Sequence, residues 1–535
     1  MIKSIQLISN EINKSLDFKR VHEHKIVLYD LENELYSFTL KIEFNQPIVL
    51  FRNHDYTWVD IKQKRMANWY APKLIKLQNN QIVQPNQNLG IWEVNAKEKQ
   101  ILYWHFNPVN AKPISNYNKD NSKGIIQAIS KKPREIPLSF LFSNDFGVEI
   151  SRSKFPFSAI ACFTDHCDFD TLDNLTLQRQ FFKEHNIKVT KGFFLNHFSK
   201  REDTASIEFN KDEIEEWVKD GHELAYHSLS QSLKSQDESF KDFLSFKPPF
   251  ENITTWIDHG FQPYNFTFSN CKDEIKDQYG KYLKDRNISQ LWNYIDSGTA
   301  VDGVINQINP NQFTLKAFYK GIKHLGFKKV FTLIIKNIIF HYSTDDYSLN
   351  LYREIAKYVK RFKRKKSKIK HVYFVINIIK LVIFFIPILL FWRFKRNKIY
   401  PLAEYAPVFF EHVLNGQTFT VFQTIEMINF KRALHKDNLD LLIKEKGLFI
   451  AHTYFSAPMN YHEGKLFGEK DKINSEVEER FKYLSQKVTT KEIWNPTLSD
   501  LISYMKKIEH VIFDCNENGE IYSSNDHELI TRQIK

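Results

Sequence analysis

Glycine, methionine and cysteine are scarce in this chain of 535 residues, which holds 16, five and four of them respectively. So little glycine argues against fibrous or low-complexity material. The cysteines, Cys162, Cys167, Cys271 and Cys515, form no CxxC pair, which suggests neither a zinc knuckle nor a disulfide framework and fits a reducing compartment. The opening residues Met1-Ile2-Lys3-Ser4-Ile5-Gln6 lack the apolar core of an export signal, so export is not expected. Aromatic residues are plentiful instead. The 46 phenylalanines and 24 tyrosines sit in a hydrophobic fraction of 42%, enough to bury a large core in about three average domains. Much of the net charge of +12 lies in residues 360–370 and 393–398. Such clusters attract phosphate backbones or anionic lipid. Here they bracket an apolar segment rather than base-stacking loops, which favours lipid headgroups and argues against nucleic acid.

Residues 1–150 read as a β-rich, sandwich-like domain. Phe38, Leu40, Ile42 and Phe44 alternate with Thr39, Lys41 and Glu43, the period of a half-buried strand. Ile91–Val94 and Ile101–Phe106 flank a short polar loop suited to a hairpin. Trp58, Trp69, Tyr70, Trp92 and Trp104 fit a sandwich core or a sugar-stacking face, and the core is the commoner use. From residue 151 the rhythm becomes strand, helix, strand. A strand over 157–163 precedes a helix over 173–185 and a strand over 187–195. The next helix is expected to be capped by Asn210 with Glu213 and stopped at Gly221. This alternation predicts a parallel sheet or β/α barrel, in which polar residues at the carboxyl ends of strands form the site.

The apolar run before Thr164 ends in Asp165, His166, Cys167 and Asp168. Folding does not need these side chains there, and their desolvation costs free energy unless a cation or substrate offsets it. The competing reading is a solvated Asp/His turn. Phe163-Thr164-Asp165-His166-Cys167-Asp168 resembles the first motif of the polysaccharide deacetylases, and Gly221-His222-Glu223-Leu224-Ala225-Tyr226-His227-Ser228-Leu229-Ser230-Gln231 resembles their second. Leu448-Phe449-Ile450-Ala451, a buried strand that delivers His452, resembles their last. The resemblance spans roughly 150–325 and 400–510. It implies a deacetylase-type β/α barrel and a metal-dependent hydrolase that removes acyl, typically N-acetyl, groups from a saccharide or glycoconjugate.

Carried over residue by residue, the resemblance makes Asp168 and His227 ligands of a divalent ion such as Zn²⁺, with His166 completing the set. Asp165 becomes the general base, although His166 stands where one alignment of the motif expects that base. His452 becomes the general acid. Gln231, Tyr264 and Asp296 are assigned to substrate. The chain departs from the family twice: Gln231 replaces a histidine, and Gly260-Phe261-Gln262-Pro263-Tyr264-Asn265 lacks the family's arginine. These departures support an alternative, a catalytically inactive membrane-bound carbohydrate-binding or scaffold protein on the same barrel.

Residues 326–400 break the pattern. Val330–Phe340 and Val372–Trp392 are apolar, but the uncharged run 381–392 falls short of the about 20 residues that span a bilayer. Tolerating Lys380 restores spanning length at about 2.5–3.5 kcal/mol if the lysine sits at the centre. Both flanks are basic and so prefer the cytoplasmic side. The expectation is a membrane-associating insertion, monotopic, hairpin-like or a transmembrane helix, with anionic headgroups as partner and the catalytic part on the cytoplasmic side. The competing reading is a helical hairpin buried in the protein. The expected organisation is therefore 1–150, β-rich domain; 151–325 and 401–515, two parts of the barrel; 326–400, insertion; and 516–535, a tail, with 511–534 expected to add a small strand and then fray.

Overall fold

The computed structural model describes the chain apart from residues 30, 32–36, 107–113, 118–122, 127–135, 261, 267–276, 294–304, 343–349, 352–353, 355–356, 358–370, 401–402, 405–407, 428, 459–464, 470–471 and 524–527. The N-terminal region is a β-sandwich of a six-stranded and a seven-stranded sheet. Phe38–Phe44 buries every second residue, as its alternation predicts, and lies between Ile2–Ile8 and Ile101–Phe106. Ile91–Val94 pairs antiparallel with Ile101–Phe106, forming the expected hairpin. Trp69, Tyr70, Trp92 and Trp104 are buried, so these aromatics are core rather than a sugar platform.

The second region is built on a ten-stranded sheet. Its order is Phe409–Leu414, Gln417–Phe422, Gln290–Trp292, Thr255–Ile257, Glu223–His227, Thr190–Phe193, Ala159–His166, Leu448–Thr453 and Ile425–Glu426, with Ile493–Trp494 pairing beside the start of Ala159–His166. All of these ladders are parallel except that of Phe409–Leu414 on Gln417–Phe422. Ala159–His166 is buried along its whole length. Its period of two sends Ala159, Ala161 and Phe163 into the core beneath the helices, and Ile160 and Cys162 into a second core. The second core runs without a break into the sandwich through Phe140, Trp92 and Ile48. Helix Leu172–Glu184 starts at Thr171 in a capping box. Helix Ile207–Lys219 is capped by Ser206, not by Asn210, which sits at a kink inside it.

The expected β/α barrel does not close. Among the described residues the sheet is a half-barrel, and together with the two sandwich sheets it makes the protein mostly β. The turn at Asn415 and Gly416, both at positive φ (50° and 73°), folds Phe409–Leu414 back antiparallel at one edge. The other edge is the two-residue strand Ile425–Glu426. Gln423 and Thr424 lead from Gln417–Phe422 to Ile425–Glu426, but among the described residues no ladder joins the two edges.

The membrane expectation is also corrected. Among the described residues no helix is long and apolar enough to cross a membrane. The two apolar stretches form helices Phe327–Tyr342 and His371–Lys395, the second with Pro387 inside it. The first spends apolar surface on the protein itself, with Ile334, Ile335, Ile338 and Ile339 in the main core; of the second, Ile388 joins that core, while Ile376, Ile379, Ile386, Leu389 and Leu390 are exposed. Phe331 meets Phe385 at 5.5 Å, Tyr342 meets Phe391 at 4.4 Å, and buried Asn337 donates to the Tyr400 hydroxyl at 2.8 Å. A transmembrane helix, and with it a membrane-associated location with its catalytic part on the cytoplasmic side, loses its basis. The tail does not fray either, because Thr531–Ile534 pairs with Gly147–Ile150.

Candidate metal centre

The carboxyl ends of several strands of this largely parallel sheet bring histidines and one aspartate together. His166 ends its strand two residues after Thr164, so it shares the inner face with Cys162. His452 is the register partner of Thr164 and shares that face. His227 ends Glu223–His227, with inner-facing Ala225 two residues before it. Trp292 ends Gln290–Trp292, and its ring lies 4.8 Å from His166 and 4.6 Å from His452. Asp168 follows His166 beyond the strand end. Immediately after His227 the chain turns through Ser228 at φ 57°, a conformation rarely adopted by non-glycine residues and one that marks local strain.

Among the described residues, donor atoms of His166, Asp168 and His227 lie within 4.8 Å of one another, all three buried. Asp168 Oδ2 is 2.9 Å from His227 Nε2, and Asp168 Oδ1 is 3.0 Å from His259 Nδ1. The His166 ring lies 4.4 Å from that of His227 and is stacked at 4.1 Å on that of His452. Both nitrogens of His166 are buried, and among the described residues neither has a hydrogen-bond partner. Leaving a buried polar atom unpaired costs about 1–3 kcal/mol, so this cluster is set up for a group that answers it. Burial pushes the His166 imidazole well below its ordinary value, and His452 and His227 push the same way. Burial also lowers His227 against the pull of Asp168. Burial alone would raise the Asp168 carboxyl, but His227 and His259 outweigh it and hold the group well below the usual carboxylate range. Burial alone would lower His259, but Asp168 and the Gln231 carbonyl outweigh it and raise the imidazole. Imidazoles held low, as in His166 and His227, beside an ionised carboxylate are the donor chemistry of a divalent transition metal, so the residues present fit one.

Other residues chosen from the sequence stand apart from the cluster. Asp165 points to the opposite face from His166, as strand alternation requires. One of its oxygens accepts from Thr453 Oγ1 (2.7 Å) and the Phe455 N–H (3.0 Å), and the other from Lys191. A carboxylate so engaged is a strut between strands rather than a free base. The Gln231 amide oxygen accepts from Ser199 and Ser232, away from the cluster. Tyr264 is core, stacked at 5.5 Å on Phe243. Asp296 lies outside the described residues. The sequence reading missed His259, which stands two residues past the apolar Trp256-Ile257 pair, the same strand-then-histidine pattern that exposed His452.

No model of a known protein family matches the chain, and no curated protein does. Among solved structures, a GH31 dextranase of Flavobacterium johnsoniae complexed with glucose is 9% identical over 93% of this chain and 65% of its own, with a TM-score of 0.26. An uncharacterized protein of Listeria monocytogenes is 8% identical over 61% of this chain and 46% of its own, with a TM-score of 0.21. The chain thus spans somewhat less than two thirds of the dextranase. Likenesses at these scores carry no argument about fold or chemistry.

Proposed function

We propose that the chain is a metal-dependent hydrolase that removes N-acyl groups from a saccharide or glycoconjugate. The observation that carries the proposal is the convergence of Asp168, His227 and a buried His166 at the carboxyl ends of two strands of one sheet, in motifs that resemble those of the polysaccharide deacetylases. Asp168 and His227 would hold the cation together with one more imidazole of the cluster. When bound, the cation supplies Lewis-acid polarisation of the acyl carbonyl and lowers the pKa of water. Hydrolysis adds water across the C–N bond, so one group must take a proton from water and another must give one to the departing nitrogen. Asp165 is committed to Lys191 and Thr453 and does neither. A His166 nitrogen takes the proton, because among the described residues neither ring nitrogen is committed to a hydrogen-bond partner. His452, stacked on His166 in the same layer, returns a proton to the amine. Trp292 walls both rings and keeps bulk water from them.

The test is the metal content of the purified full chain beside Asp168→Asn and His227→Ala, followed by acetate release from N-acetylated saccharides. The expected result is about one transition-metal ion per chain, lost in both variants along with turnover. A metal-free wild type, or variants that keep both metal and turnover, would refute the proposal and leave a carbohydrate-binding or scaffold role.

A further inference from the structure

The geometry points to His259 as the third donor of this centre, set in its donor form by the backbone carbonyl of Gln231; the inference rests on the metal-dependent reading above. Three side chains meet through four atoms: Asp168 Oδ2 and His227 Nε2 are 2.9 Å apart, Asp168 Oδ1 and His259 Nδ1 3.0 Å, and His227 Nε2 and His259 Nδ1 3.1 Å. Donors around a tetrahedral zinc with bonds of about 2.0 Å stand about 3.3 Å apart, so these separations are already close to the required size.

The other nitrogen of His259 fixes the tautomer. His259 Nε2 lies 2.9 Å from the Gln231 carbonyl oxygen, which only accepts, so Nε2 carries the hydrogen. In the neutral ring the Nδ1 lone pair then faces a carboxylate oxygen and a second imidazole nitrogen, an arrangement that calls for a positive charge between them. A donor histidine whose far N–H is given to a backbone carbonyl is the usual support of a metal ligand. Topology brings the residue there. In the parallel ladder His227 pairs with Ile257, so His259, two residues on, returns to the same face. The Phe194 ring, 4.9 Å from each, wedges both imidazoles.

This accounts for the departure at position 231. The side chain that the family pattern would use there turns to Ser199 and Ser232, while its main chain orients a histidine from the next strand. It also separates the histidines by task. His166 stacks on His452 on another side of His227, with neither nitrogen bonded, and stays available to take a proton.

The experiment measures Zn²⁺ affinity, and the visible spectrum of the Co²⁺-loaded full chain, for wild type, His227→Ala, His259→Gln, His166→Gln and Gln231→Ala. His259→Gln is expected to lose at least about 10–100-fold in affinity, the loss that even an outer partner of a ligand causes. It should also change the Co²⁺ spectrum. Gln231→Ala and His166→Gln should bind as wild type does, since the carbonyl survives the first and no ligand is lost in the second. Wild-type affinity in His259→Gln with loss in His166→Gln, or loss in Gln231→Ala, would overturn the inference while the metal reading stands. No binding by wild type, or undiminished binding by His227→Ala, would overturn the metal reading itself. If His259→Gln does not fold, ¹⁵N shifts of the wild-type histidines decide: Zn²⁺ must move His259 Nδ1 and leave Nε2 protonated, and an unmoved Nδ1 refutes the assignment.

Discussion

His222 stands at the mouth of the strand that ends in His227, and its Nδ1 accepts the Val189 N–H at 3.2 Å. That bond requires an unprotonated Nδ1. Burial, opposed by Asp220, pushes the imidazole down to about 4, whereas the unfolded chain takes up the proton near 6.5. Between these values the unfolded state binds more protons, so stability rises with pH and is lost as pH falls from 6.5 towards 4. The contribution of His222 between pH 7 and pH 5 is about 2 kcal/mol. Urea unfolding at the two pH values should therefore show a smaller acid loss in His222→Asn than in wild type, by about that amount. Equal losses would show that this ring does not set the acid limit. The same logic of lone pairs runs through the site residues. His166 and Asp165 are neighbours in sequence but face opposite cores. One is left with two open nitrogens, and the other is filled by Thr453, Phe455 and Lys191.

At the scale of elements, Lys191 ties the sheet to its first helix. It is fully buried in strand Thr190–Phe193 and reaches Asp165 on the adjacent strand, Asp170 at 2.5 Å beyond that strand's end, and the Gln178 side chain of helix Leu172–Glu184 at 3.0 Å. Burial works against its charge, but Asp165 and Asp170 outweigh it and hold the ammonium charged. Lys191→Met leaves two buried carboxylates without their counterion and should cost about 3–5 kcal/mol in chemical denaturation. Adding Asp165→Asn should recover part of that cost; if the double variant is no more stable than the single, the triad is not the tie described. These elements were only partly legible in the sequence. Strand Phe38–Phe44, the Ile91–Val94 hairpin and the strand that carries His452 announce themselves by period and by polar ends. Lys191 is invisible because an amine between apolar residues looks the same whether it points to solvent or to a carboxylate 26 residues away. The role of His259 is hidden for a related reason, since its partners lie beyond the ends of two other strands. Period also told less than it offered at Asp165: alternation already separates it from His166, yet the motif placed both in one site.

Across the whole molecule, the sandwich and the half-barrel share one interior. Ile160, Cys162, Ala225 and Trp292 lie in the same core as Trp92 and Phe140. Composition could not show this, nor that the hydrophobic stretch around 330 packs on the protein, because apolar segments look alike whether covered by lipid or by a neighbouring helix. Domains joined through a large hydrophobic interface unfold together, whereas loosely joined ones unfold apart. Arg152 locks the junction. It is almost wholly buried, and its guanidinium donates to the carbonyls of His54 and Tyr70 in the sandwich and to that of Lys446, before the strand that carries His452. Its charge also lies 4.3 Å over the Tyr56 ring. Calorimetry of the wild type should show a single transition. Arg152→Met strips two buried carbonyls and one half-buried carbonyl of their donor, worth about 3 kcal/mol in total. It should lower that transition and split off the sandwich as an earlier one. Two transitions already present in the wild type would mean that the continuous core does not couple the halves, and an unchanged single transition in Arg152→Met would place the lock elsewhere along it.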